Sequence, residues 1–358
     1  MILSIAAFLA GLILLVKGSD FLVESATRIA HYLGVSDLVI GLTLVAVGTS
    51  LPELGSSIAA VLKGNPGIAT GNIVGSNIAN IGLILGLTAS LRGLSIRPEM
   101  FKRDGIIMVG ITVLFLVFAL DGTINTVEGM MLLLMFSAYT LFLFEYKPRF
   151  ERFYRFKKYF GEYFKFKNLS HRMRIIDRIS DRIPDDLIRG VLNPRTYHRV
   201  TMRVLRNVKE GIVRELCIMM IGSLAVLIGA DYLVNGAVEI ANYFGVPDVI
   251  IGLTIVAMGT SLPELMVSLS SVKKGYDNLL VGNLIGSNIG NMTLIGGLSA
   301  VLAGLPIDNL TMRYTLPAML AFAVVCVVFL RSGERVTRVE GALLLVGYAV
   351  FMGSVLSA

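Results

Sequence analysis

The sequence predicts an all-α polytopic membrane protein, with ten transmembrane helices arranged as two inverted five-helix repeats. Its 358 residues are 55% hydrophobic, with a mean hydropathy of +0.75, too apolar for a soluble domain. A sliding window of about 19 residues marks ten apolar spans. Adding 211 to a residue number then maps the first half of the chain onto the second, without a gap, from about residue 11 to residue 86.

The first half holds spans at 2–30, 38–62, 67–91, 105–120 and 128–144. No basic region precedes Ile2 and no small-x-small cleavage site follows the first apolar run, so that run reads as a membrane helix and not as a cleaved signal. Span 105–120 is short for a hydrocarbon core of about 30 Å and needs a thin bilayer or a buried position in the bundle. The second half holds spans at 212–242, 249–273, 279–303, 314–330 and 339–357. Five is odd, so the halves enter the membrane from opposite sides. The organisation expected is a first repeat over 1–146, a basic loop over 147–210 and a second repeat over 211–358.

Charge orients this bundle. Residues 147–210 carry 18 Lys and Arg against 7 Asp and Glu, a balance of +11 within a chain whose total is +7. The excess of positive charge places that loop in the cytoplasm and both termini outside. Loops 92–104, 273–278 and 331–338 then fall inside and supply Arg92, Arg97, Lys102, Arg103, Lys273, Lys274, Arg331, Arg335 and Arg338. Lys63 and Arg313 are the external exceptions. The localisation expected is the plasma membrane.

The repeat carries the chemistry. Gly48-Thr-Ser-Leu-Pro-Glu53 returns unchanged as Gly259-Thr-Ser-Leu-Pro-Glu264, and Gly75-Ser-Asn-Ile78 returns as Gly286-Ser-Asn-Ile289. A carboxylate at bilayer depth costs at least about 2.5 kcal/mol, which marks Glu53 and Glu264 as functional. Pro52 has no N–H and its ring crowds the carbonyl four residues back, so carbonyls around Ala46 to Thr49 are expected to lack partners. Thr49 and Glu53 share a helical face with Ser50 alongside, and Thr260, Ser261, Pro263 and Glu264 repeat that geometry. Ser76 with Asn80 and Ser287 with Asn291 add a hydroxyl and an amide oxygen at i,i+4 spacing. All are hard oxygen donors suited to Na⁺ or Ca²⁺.

The blander reading of such serines and asparagines is interhelical hydrogen bonding. Facing a duplicated glutamate, Ser76, Asn80, Ser287 and Asn291 are read as ligands. Asn72, Asn77, Asn283 and Asn288 are read as packing residues. Asp20 is expected to pair with Lys17, and Glu24 with Arg28, near the cytoplasmic surface. Cys217 and Cys326 are expected to be buried packing residues without a disulfide.

These motifs resemble the two α-repeats of the cation/Ca²⁺ exchanger superfamily, in its Na⁺/Ca²⁺ exchanger-like branch, whose forms are GTSLPE and GNxxGSNxxN/D. The resemblance spans both halves. It implies a ten-helix antiporter with alternating access that exchanges Ca²⁺ for Na⁺, the ions being cargo and no cofactor being required. Residue by residue it implies an inner Na⁺ site from the Ala46 carbonyl, Thr49, Ser50, Glu53 and Ser76. An outer one would use the Ala257 carbonyl, Thr260, Ser261, Glu264 and Ser287, with Asn80 and Asn291 flanking the centre. The first helix of each half, 2–30 and 212–242, would slide across the remaining core.

Many of these exchangers carry aspartate where this chain has Asn291. The site therefore holds −2 when both glutamates are ionised: neutral with one Ca²⁺ or two protons, +1 with three Na⁺. A Ca²⁺/H⁺ antiporter with the glutamates as proton carriers is the alternative, and a cation channel on the same ligands ranks below it. An enzyme is disfavoured, since no HExxH or Gly-x-Ser-x-Gly occurs and His31, His171 and His198 fall at or beyond the interface. Interleaved basic and aromatic residues over 149–167 read as an amphipathic helix on anionic lipid, not as a nucleic-acid surface.

Overall fold

Apolar side chains alone do not carry a chain through hydrocarbon. Every backbone N–H and C=O must also be satisfied internally, which confines spanning segments to helices or closed barrels. The computed structural model describes residues 2–33, 36–98, 100–145, 194–244 and 259–357, and these are overwhelmingly helical.

Helix α1 covers Ile2–Leu33. A bent span follows, built from α2 (Asp37–Ile40), a π-helical turn at Gly41–Val45, α3 (Ala46–Thr49) and α4 (Leu51–Leu62), with a 44° bend at Ser50. Ser36 caps α2 by accepting from the Val39 N–H, and Pro52 sits in the first turn of α4, where its missing N–H costs least. Next come α5 (Pro66–Ala79), a π turn at Asn80–Leu85 and α6 (Gly86–Arg92), a continuous 27-residue span. Strand β1 (Leu94–Ser95), a π turn at Met100–Gly105, α7 (Ile106–Ala119), β2 (Thr123–Ile124) and α8 (Thr126–Glu145) complete the half.

The second half repeats this order. It runs α9 (Pro194–Tyr243), α10 (Leu262–Lys274), α11 (Asp277–Gly290), a π turn at Asn291–Ile295 and α12 (Gly296–Ala303). Then come β3 (Leu305–Pro306), a π turn at Thr311–Thr315, α13 (Leu316–Arg331), β4 (Arg335–Val336) and α14 (Arg338–Ser357). Among the described residues seven helices are long and apolar enough to cross a membrane, or eight with the bent second span. The bent span's counterpart is described only from Gly259 onward, so most of expected span 249–273 before the second glutamate motif lies outside the described residues.

Backbone geometry extends the 211-residue offset beyond the segment where sequence alone displays it. Gly93 and Gly304 end α6 and α12 with φ of +72° and +70°, and Gly122 and Gly333 repeat at +90° and +100°. The strands then pair across the halves. β1 joins β4 and β2 joins β3, both antiparallel, so each pair ties one loop of the first half to one loop of the second. Loops 92–98 and 332–337 therefore share a face, and the Arg92–Asp277 ion pair brings the α10–α11 loop to the same side. This is the grouping that the Lys and Arg distribution predicts.

Three expectations need correction. Span 105–120 is not short, because its helix begins at Met100 and runs 20 residues through Ala119. Arg103 and Asp104 lie inside it, paired at 2.9 Å, with the Tyr139 hydroxyl donating to Asp104 at 3.1 Å. Neutralised charge lets the helix continue where a charge run suggested a loop. The expected loop 147–210 likewise ends early, since α9 is already helical from Pro194 and stays so for 50 residues. The aromatic and basic stretch 149–167 lies outside the described residues. Finally, Cys326 is buried but Cys217 is exposed on the outer side of α9; both are free thiols.

The core sits among α5, α6, α11 and α12, the most enclosed spans, with Phe115, Met108, Ile84, Ile289 and Leu316 fully buried around them. Outward-facing Leu343, Val346 and Val350 on α14 suit hydrocarbon contact. Helices α1 and α9 form a separate pair along a glycine seam, where a Cβ on Gly18 would stand 2.8 Å from the Gly222 carbonyl oxygen. A second glycine contact seats the bent span, since a Cβ on Gly286 would lie 2.6 Å from the Leu42 oxygen and 2.8 Å from the Ala46 Cβ. Backbone cannot yield as a side chain can. Gly286→Val should therefore cost about 3 kcal/mol, read as a lower melting temperature in detergent. Gly110→Ala, whose Cβ meets nothing within 4 Å, should be neutral or slightly stabilising.

Candidate cation-binding site

Each glutamate motif breaks a helix. Helix α3 ends at Thr49, Ser50 leaves helical geometry at φ −83° and ψ 10°, and α4 restarts at Leu51 with Glu53 in its first turn. Ser261 does the same at φ −89° and ψ 4°, placing Glu264 in the first turn of α10. Both carboxylates thus stand at helix N-termini, where backbone N–H groups favour negative charge. Both are buried to 1% exposure, and each lies within electrostatic reach of the other.

The surrounding donors come from both halves. The Ser50 hydroxyl donates to Glu264 Oε1 at 3.1 Å. Thr49 Oγ1 donates to Asn283 Oδ1 at 3.2 Å, and the Ser287 hydroxyl reaches the Ala46 carbonyl at 3.5 Å. The π turn that starts at Asn80 packs against α10, and the one that starts at Asn291 packs against α4. A π turn inserted in a helix commonly accompanies a functional site, because it redirects side chains and loosens a carbonyl.

Four buried oxygens at this crossing have no hydrogen-bond partner: Glu53 Oε2, Glu264 Oε2, Asn80 Oδ1 and Asn291 Oδ1. Buried polar atoms are normally paired, and one left alone costs about 1–3 kcal/mol, more if charged. Two carboxylate and two amide oxygens form a hard donor set of charge −2, and Ca²⁺ is bound by six to eight such oxygens in general.

Of the residues expected from the motifs, Thr49, Ser50, Glu53, Ser76, Asn80, Ser261, Glu264, Ser287 and Asn291 are all buried, and Thr260 is half-buried. Ala257 lies outside the described residues. Hydrogen bonds among them cross between the repeats. Ser50 bonds to Glu264, and Ser287 to Ala46, so the groups mix halves. The reason is packing, since α11 lies along α2 and α3. The Ala46 carbonyl is also not left bare, because it accepts the Ser50 N–H at 3.0 Å and the Thr49 hydroxyl at 3.3 Å.

Three of the four asparagines read as packing residues are tied by their side chains into the same network. Asn283 accepts from Thr49, and Asn288 accepts from Asn80 at 2.9 Å. Asn72 donates to the Glu53 carbonyl at 3.1 Å and to Ser57 at 2.9 Å. Asn77 is buried at 1% with both amide atoms unpartnered. Their presence in both copies of the motif was the available signal.

A model of the family described as sodium/calcium exchanger protein matches residues 3–145 and 215–356, once over each half. The chain belongs to this family. It is 41% identical to the sodium/calcium exchanger MaX1 of Methanosarcina acetivorans over 96% of each chain. It is 30% identical to the inner membrane protein YrbG of Escherichia coli, over 98% of this chain and 96% of that one. Its fold superposes on a solved structure of the sodium-calcium exchanger NCX_Mj with a TM-score of 0.75, at 30% identity and 99% coverage of both chains.

A second polar cluster joins α1 to α10, near the face shared by loops 92–98 and 332–337. Asp20 accepts from the Ser270 hydroxyl at 2.6 Å and pairs with Lys274 at 3.2 Å, not with Lys17 as its sequence neighbour suggested. Lys274 also pairs with Glu24 at 2.7 Å. Arg28 pairs with Glu24 as expected, at 3.2 Å, and with Glu215 of α9 at 3.3 Å. Asp20 and Lys274 are 28% and 21% exposed, so their coupling is modest. A double-mutant cycle of Asp20→Asn and Lys274→Met should return about 1 kcal/mol in thermal stability, and additivity would show the pair to be idle.

Proposed function

We propose that the protein is a secondary antiporter that exchanges Ca²⁺ for Na⁺ by alternating access, with Glu53 and Glu264 as shared ligands. The observation that carries this reading is the set of four unpartnered buried oxygens at the crossing of the duplicated motifs. A divalent cation satisfies them all and cancels the charge of the two carboxylates. Thr49, Ser50, Ser76, Thr260, Ser261, Ser287 and the Ala46 and Ala257 carbonyls supply neutral oxygens for Na⁺ on either side of that centre. The relatives named as sodium/calcium exchangers support the choice of ions.

Alternating access needs one face closed while the other opens, and the two halves differ in that sense. On the Lys274 side α1 packs along α10, held by the Asp20, Glu24, Ser270 and Lys274 contacts. The 211-residue offset makes Lys63 and Asp231 the counterparts of Lys274 and Asp20. Both are exposed and make no ion pair among the described residues. On α4, Leu51 and Leu62 stay exposed, and Gly55 has nothing within 4 Å. This arrangement supports a state open toward the α4 end, which the charge distribution places outside the cell. The positive-inside rule then sets residues 147–210 and the Lys274 face in the cytoplasm of a plasma-membrane protein.

With Ca²⁺ the occupied site is neutral, and with three Na⁺ it is +1. Such a cycle couples to voltage by about 2.3 kcal/mol per 100 mV. ⁴⁵Ca²⁺ uptake into proteoliposomes loaded with Na⁺ should require the internal Na⁺ and rise at inside-positive potential. Glu53→Gln and Glu264→Gln should each reduce it to background. Uptake driven by a proton gradient without Na⁺, or retained in both variants, would overturn the assignment.

A further inference from the structure

The polarity of an amide decides whether it can serve a cation. Its oxygen attracts and its NH₂ repels, and the two ends occupy almost the same volume. We propose that Asn288 is a positioning residue that sets the polarity of Asn80, turning it from an amide free to flip into a committed oxygen donor. The inference rests on the reading of the crossing as a Ca²⁺ site.

The argument begins one residue further back. Asn288 Nδ2 stands 3.3 Å from the Asn77 carbonyl oxygen and 3.8 Å from Met108 Sδ. Both are acceptors only, so the nitrogen of Asn288 must face them and its oxygen must face away. That oxygen lies 2.9 Å from Asn80 Nδ2, which donates to it. Turning Asn80 over would bring two carbonyl oxygens together at that distance. A backbone carbonyl, which cannot flip, thus dictates two side-chain amides in series. Asn80 Oδ1 is what remains, buried and without a partner.

The relay matters because the nearby carboxylates pull the other way. The π turn bearing Asn80 packs against α10, whose first turn carries Glu264. A carboxylate attracts amide hydrogens, so an unrestrained Asn80 would turn its NH₂ inward. Ca²⁺ would then have to reverse it, and binding weakens by the fraction of molecules in the wrong polarity.

Among the described residues this device has no symmetric copy. The offset makes Asn77 the counterpart of Asn288, and Asn77 holds neither amide atom in a hydrogen bond, while Asn291 Oδ1 is also alone. The pseudo-symmetric site is therefore polarised on the Asn80 side and not, by this route, on the Asn291 side.

The test is a pair of Ca²⁺ titrations by calorimetry on the purified full chain. In the wild-type background Asn288→Leu should weaken Ca²⁺ binding about tenfold, as loss of an outer partner of a metal ligand commonly does. In an Asn80→Asp background the same change should cost less than about twofold, because a carboxylate presents oxygen either way it turns. Asn288→Ala, which adds no branch beside Met108, is run in both backgrounds and read in the same way, so a leucine variant that fails to fold leaves the test intact. An equal loss in both backgrounds, or no loss in the first, would overturn the positioning role. Wild-type protein that does not bind Ca²⁺, or Glu53→Gln that binds it as well as wild type, would overturn the Ca²⁺ site itself.

Discussion

Two carboxylates lie at the centre of an apolar bundle, and no basic side chain pairs with either among the described residues. That imbalance governs what surrounds them. A buried ion pair would quiet the charge permanently and leave nothing for a passing ion to do. Here Glu53 and Glu264 instead stand at helix N-termini, and Glu264 accepts from the Ser50 hydroxyl, which lowers the cost of the charge without cancelling it. The broken helices follow from the same need. Pro52 and Pro263 start new helices just before each glutamate, so backbone N–H groups lie at the carboxylates, and in the first copy the preceding helix ends at Thr49.

The inverted repeat then divides labour between symmetry and its breaking. Symmetry builds the site, since the same six residues arrive from both sides and meet at the crossing. It also builds the frame, in which β1 with β4 and β2 with β3 fasten the loops of opposite halves. Function requires the symmetry to fail locally, because a carrier open on both faces is a leak. The failure is visible in α1 and α9. They bind each other through glycines and backbone contact, but among the described residues α1 packs along α10 of the opposite half and is held there by Lys274, while the counterpart pair, α9 and α4, has no ion pair. The same two helices, packed as a unit, present an ionic cluster at Lys274 and, among the described residues, none at its counterpart Lys63.

Much of this was legible in the residues. Apolar spans, the offset of 211 and the charge asymmetry of the loops predicted the helices, their pairing into halves and the grouping of loops by face. The motif residues stand out as a set, and nine of the twelve named are buried polar residues. Their partnership was not. An offset reveals which residues are equivalent, not which ones touch, and in an inverted repeat the touching residues come from opposite copies. Hence Ser50 meets Glu264 and Ser287 meets Ala46, although each was placed with its own repeat. Asp20 chose Lys274, 254 positions away, over its neighbour Lys17 for the same reason: the helix packing decides it, and nothing local encodes it. Arg103 and Asp104 read as a loop because charge looks external until Tyr139 and Phe142 are seen enclosing it.

Asn291 gathers these threads. An aspartate there would add a third negative charge to a cluster already short of positive partners, and burying a further charge costs several kcal/mol unless an ion is always present. An amide keeps an oxygen donor and removes that cost, but it introduces a question an aspartate never raises, which of its two ends faces the ion. Asn80 has the same chemistry and meets the question through Asn288 and the fixed carbonyl of Asn77. A site of charge −2 with two amides therefore depends on orientation where one of charge −3 depends on charge. The burden moves to a residue that never touches the ion, Asn288, and to the backbone carbonyl of Asn77.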